Sequence, residues 1–129
     1  MTRDSEYINT LAKVSGILPK DCFEEENTIV FLVNSSQMGA AIGKKGKNVE
    51  SLRNIFKKNV EVFEYCKDVE SFLRKNLKIE IQKIEEENNS ITLHLRPEDK
   101  KKLLGNRAKI RRIKKILEKN YKVKGLRLR

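Results

Sequence analysis

The sequence predicts an α+β protein in which one helix-strand-strand-helix-helix-strand unit occurs twice. Two observations carry this reading: apolar spacing that switches between a period near 3.6 and a period of 2 along the chain, and a set of apolar positions that recurs at an offset of 61 to 62 residues. Residues 4 to 15, DSEYINTLAKVS, place Ile8, Leu11, Ala12 and Ser15 on one helical face, with Asp4 or Ser5 as cap and Gly16 as stop. After Pro19, two β-prone runs, Asp21 to Glu24 and Thr28 to Val33, flank a polar turn at Glu25 to Asn27 and read as a hairpin. Ser35 or Ser36 then caps a helix through Met38, Ala40, Ala41 and Ile42. Gly43-Lys44-Lys45-Gly46 interrupts it, Val49, Leu52, Ile55 and Phe56 restore a helix, and residues 59 to 65, NVEVFEY, close the unit as a strand.

The remainder repeats that order. Residues 68 to 77 read as a helix, and residues 78 to 96 as a hairpin turning at Asn88-Asn89. Pro97 suits a first helical position, with Glu98 and Asp99 where the helix dipole favours acids. Leu103-Leu104 lead to Gly105, Ile110, Ile113, Ile116 and Leu117 mark the next helix, and YKVKGLRLR is the last strand. Ile29, Phe31 and Val33 match Ile91, Leu93 and Leu95 at an offset of 62; Val49, Leu52, Ile55, Phe56, Val60 and Val62 match Ile110, Ile113, Ile116, Leu117, Tyr121 and Val123 at 61. Duplication is the reading, with domains at 1–66 and 67–129. The joint Cys66-Lys67 lacks Gly, Pro or Ser, so the copies are expected to pack as one rigid block.

The net charge of +11 is concentrated. Residues 1–97 carry 15 basic and 15 acidic side chains, residues 98–129 carry 14 and 3. Such a field favours a polyanion, and nucleic acid is the commonest. Around the first interruption, two glycines allow a sharp turn and a bare backbone, the following helix offers free N–H groups and the positive end of its dipole, and Lys44, Lys45 and Lys47 add charge. These features suit a phosphate backbone.

The element order, Ile42 before the first glycine and the run GKKGKNVESL together resemble the K-homology (KH) domain in its type II form, and two such copies without a linker resemble the archaeal NusA-like transcription factors over essentially the whole chain. The resemblance implies, for each copy, a three-stranded sheet with helices on one face and a G-x-x-G loop that clamps single-stranded RNA. It implies binding of nascent RNA in transcription elongation or termination, with RNA polymerase as a second partner. The RNA-binding residues it implies are Ile42, Gly43, Lys44, Lys45, Gly46 and Lys47 in the first copy and Gly105, Asn106, Arg107, Lys109, Arg111 and Arg112 in the second. Ala108 stands where the family keeps the last glycine, so the second clamp is expected to be weakened, and Ala108→Gly to restore it or leave it unaltered. RNA is expected between the loop with its following helix and the edge of the hairpin strand, with Ile42, Ala41 and Val30 touching bases.

No catalytic role is expected. His94, the one histidine, faces outward from an alternating strand and has no nucleophile or carboxylate pair at a recognisable spacing. Cys22 and Cys66 have no neighbouring Cys or His and read as reduced thiols. The acidic runs Glu24 to Glu26 and Glu85 to Glu87 read as exposed hairpin turns rather than cation sites. No metal, cofactor or small-molecule substrate is therefore expected. No apolar run approaches the roughly 18 to 20 residues of a membrane span, and the start MTRDSEYINT lacks a signal-peptide core, which suggests a cytoplasmic protein with no membrane partner. TIVFLV does not alternate, so Val30 and Leu32 need a cover, either the other copy, which we favour, or another protein. The rival function is accordingly an adaptor docking that face on RNA polymerase or the ribosome, with RNA contact secondary.

Overall fold

The structure is a computed structural model that describes residues 3–129. The chain separates into two compact units, Met1–Cys66 and Lys67–Arg129. The first contains α1 (Arg3–Ser15), β1 (Asp21–Glu25), β2 (Thr28–Asn34), α2 (Met38–Ile42), α3 (Lys47–Phe56) and β3 (Asn59–Tyr65). The second contains α4 (Val69–Leu77), β4 (Ile81–Glu87), β5 (Ser90–Leu95), α5 (Pro97–Leu104), α6 (Arg107–Tyr121) and β6 (Gly125–Leu128). Each unit is mixed α+β around a three-stranded sheet, ordered β1-β2-β3 and β4-β5-β6. In both, the first two strands are an antiparallel hairpin and the third pairs in parallel with the second. The third strand is thus an edge of its sheet, reached through two helices because a parallel return needs a long crossover.

In the first unit, Ile29, Phe31 and Val33 point from β2 into a core with Tyr7 and Leu11 of α1, Ala41 of α2, Leu52 of α3 and Val60 of β3. Their neighbours Val30 and Leu32 are also buried, as is all of Thr28–Val33. Asp4 and Ser5 lie within α1 rather than capping it. A 3-10 turn, Ser35–Gln37, intervenes before α2. Ile55 is 56% exposed; it continues the helical period of Val49 and Leu52 but falls beyond the buried arc.

Glu24 is not in the hairpin turn. It lies in β1 opposite Ile29, where its carboxylate accepts the Tyr7 hydroxyl at 2.6 Å and the Lys58 ammonium at 2.7 Å. The bond to Glu24, with burial, holds the Tyr7 phenol above its ordinary range. Tyr7 also meets Phe56 edge to face, with ring centroids 5.0 Å apart. The cluster ties α1, β1 and the α3–β3 connection together and so fixes where α3 hands over to the edge strand.

In the second unit, Ile91, Leu93 and Leu95 are buried on β5, with Phe72, Leu73 and Leu77 of α4 and Ile113, Ile116 and Leu117 of α6. Asp68 caps α4 by accepting the Ser71 N–H at 2.9 Å, which holds its carboxyl below the usual carboxylate range. Asn88 and Asn89 both have positive φ, 50° and 64°, the left-handed pair that a two-residue hairpin turn demands. The repeat register needs one correction. Ile29 pairs with Val60, but Ile91 pairs with Leu126, not Tyr121. α6 runs 15 residues against 10 in α3, so Tyr121 ends that helix and packs on Phe72 with centroids 5.0 Å apart.

Candidate nucleic-acid interface

The two glycines of the first loop do different work. Gly43 ends α2 at φ 81°, ψ 166°, a region essentially restricted to glycine. A Cβ there would stand 2.8 Å from both Cγ and the backbone nitrogen of Asn48. The bare backbone at this position is thus filled from within, and Asn48 uses the approach to donate its side-chain amide to the Ala40 carbonyl at 2.8 Å. Gly46 precedes α3 in the left-handed conformation, φ 75° and ψ 16°. A Cβ on it would meet nothing within 4 Å. Here the bare backbone faces open space. Lys45 between them is also left-handed, at φ 57°, and Lys44, Lys45 and Lys47 are all exposed.

Beside this loop lies a groove of about 520 Å³. Ile42, Lys45 and Gly46 form its loop end. Val49, Glu50 and Arg53 form its helical wall, and Val60, Glu61 and Val62 of β3 form the other. Arg53 Nη2 donates to the Val60 carbonyl at 3.1 Å and ties the two walls together. Because residues on a strand turn their backbone groups alternately to either side, that bond marks Val60, and with it Val62, as presenting N–H and C=O to the open edge. The groove therefore combines apolar side chains, an open strand edge and a cationic rim.

Of the residues singled out in the first copy, Ile42, Lys45 and Gly46 line this groove, Lys44 and Lys47 flank it in solvent, and Gly43 supports it from behind. Ala41 and Val30 do not reach it: both are fully buried. The strand that completes the groove is β3 rather than an edge of the hairpin. Glu50 and Arg53 were missed, although they stand four and seven residues after Gly46 and hence on its face of the helix. Val49, Val60 and Val62, which the sequence marks only as recurring apolar positions, line it as well.

The second loop has another geometry. Gly105 has an ordinary helical φ of −73°. Asn106 caps α6 by accepting the Lys109 N–H at 3.2 Å, and Arg107 and Ala108 are the first two residues of that helix. A side-chain cap here replaces the left-handed turn, so the alanine is not a damaged glycine. Ala108→Gly is expected to lower stability by up to about 1 kcal/mol, the helical cost of glycine against alanine, with no gain in RNA affinity; urea unfolding and an RNA titration of the variant check both. Arg107 and Arg111 are exposed and Lys109 and Arg112 half-buried along the first turns of α6. Arg107, Arg111 and Lys114 lie on one helical face at steps of four and three residues, that is, about 6 Å and 4.5 Å along the axis.

Among the described residues no group of three His, Cys, Asp or Glu side chains converges as at a metal centre, and no helix is long and apolar enough to cross a membrane. His94 bonds Glu85 at 2.8 Å on the sheet surface. Both cysteines are buried thiols.

Comparison with known proteins follows the same lines. The KH domain profile matches residues 6–89. A protein of Methanococcus vannielii named "Probable transcription termination protein NusA" is 27% identical over 113 residues, covering 84% of this chain and 65% of that relative. A protein of the same name from Methanocaldococcus jannaschii is 33% identical over 73 residues, covering 57% of this chain and 40% of the relative. The chain thus spans less than two thirds of the length of these curated relatives. A solved structure titled "Crystal structure of APE1850" superposes with a TM-score of 0.85 at 28% identity, covering 100% of both chains. With a profile match across more than half of the chain and a glycine-lysine loop set beside a groove, this chain belongs to the KH-domain family.

Proposed function

We propose that the protein binds single-stranded RNA, with the sugar-phosphate chain held at Gly43–Gly46 and bases laid along the groove between α3 and β3. The observation that carries this is Gly46: a left-handed residue with open space where a Cβ would stand, among three exposed lysines, at the mouth of a groove with apolar residues in its walls. A phosphate can approach that backbone as it cannot approach a residue with a side chain. The second unit, a further KH copy in this reading, adds charge rather than a second clamp. Steps of about 6 Å and 4.5 Å between successive cations on α6 let Arg107, Arg111 and Lys114 follow a strand's phosphates. The names of the relatives support a role in transcription termination; in our reading the protein acts on nascent transcripts in termination or elongation, in the cytoplasm, with RNA polymerase as a protein partner and no catalysis.

Salt dependence tests the phosphate contacts. With the three loop lysines each displacing counterions, log K for a single-stranded oligonucleotide is expected to fall with log salt at a slope of about −2 or steeper, from roughly 0.7 per contact. A slope near zero in an anisotropy titration would count decisively against a phosphate clamp.

A further inference from the structure

The helical wall of the groove carries a carboxylate, Glu50 on α3, within a site whose rim is cationic. Its placement separates the two halves of a nucleotide. A phosphate beside it would be repelled, so the phosphates belong at Lys44, Lys45 and Gly46 and the base belongs beside Glu50, against Val49 and Val62. Ionised carboxylates only accept hydrogen bonds. Adenine, cytosine and guanine each bring an exocyclic amino group to the edge that pairs, whereas uracil brings two carbonyl oxygens there with a single N–H between them. Glu50 also stands in the first turn of α3, where any acid favours the helix dipole. That role would be indifferent to which base is bound.

We propose that Glu50 makes this site select bases that carry an exocyclic amino group and discriminate against uracil. The assignment rests on the RNA-binding reading above and deepens it. Anisotropy titrations of the full chain with labelled oligo-C, oligo-A and oligo-U of equal length at one salt concentration test it. Oligo-C and oligo-A are expected to bind at least about fivefold more tightly than oligo-U, the scale of one good base-edge contact. In Glu50→Gln the side-chain amide both donates and accepts, so oligo-U is expected to gain on the others until the ratio falls to about twofold or less; circular dichroism of the variant controls for folding. Equal affinity of the unaltered protein for all three oligonucleotides, each with a steep salt slope, would overturn base selection and leave the clamp standing. An unchanged ratio in Glu50→Gln would overturn the assignment to Glu50. Failure to bind any of them would overturn both readings together.

Discussion

Reversing both loop charges, Lys44→Asp with Lys45→Asp, is expected to remove measurable affinity for single-stranded RNA while leaving the fold intact. Both side chains are exposed, so neither contributes to the core. Lys45 holds a positive φ of 57°, and aspartate is among the side chains that tolerate that conformation best. On the binding side, two charge-assisted contacts of about 1 kcal/mol each disappear, after discounting for solvent exposure, and two repulsions replace them. The combined loss is at least about 30-fold. Titration of one oligonucleotide with both proteins, beside their thermal unfolding curves, measures it. Unchanged affinity in a folded variant would remove the first loop from the site.

Gly43→Ala and Gly46→Ala are expected to separate folding from binding at positions three residues apart. At Gly43 an added Cβ enters a glycine-only backbone region and meets the Asn48 backbone at 2.8 Å. Strain there costs about 1–3 kcal/mol, and displacing Asn48 from the Ala40 carbonyl adds about 1 kcal/mol. A loss of about 2–4 kcal/mol is a large part of the stability of a small domain. At Gly46 the Cβ meets nothing, so only the left-handed backbone is penalised, at about 1–2 kcal/mol. That methyl group nevertheless projects into the space assigned to the phosphate. Gly46→Ala is therefore expected to keep a cooperative urea transition yet bind RNA at least about tenfold more weakly, while Gly43→Ala shifts the transition itself. Equal and small effects of both on stability would contradict the division of labour between the two glycines.

Much of the fold was legible because it depends on near neighbours. The continuous apolar run at 28–33, the period-2 run at 91–95, the helical spacing of Val49 and Leu52, Pro97 at a helix start and Asn88-Asn89 in a turn all act over a few residues, and the strands and helices follow them. The errors arose where distance along the chain mattered. Glu24 looks like turn material beside Glu25 and Glu26, and only the fold brings it Tyr7 from α1 and Lys58 from beyond α3. Tyr121 continues an offset that matches in sequence, but four further residues of α6 move the last strand on to Gly125.

The candidate site divides in the same way. Residue types and spacing alone determined the glycine-lysine loop, the excess charge of the C-terminal third and the duplicated order of elements, since each is a property of composition or local periodicity. Only the tertiary structure decided that β3, not the hairpin, is the strand beside the loop, that Gly43 is filled by Asn48 while Gly46 is open, and that Asn106 caps a helix where the first copy turns on glycine. A sheet edge is defined by the partner a strand lacks, and the space around a Cα by residues that fold against it. Neither quantity exists until the chain has closed on itself.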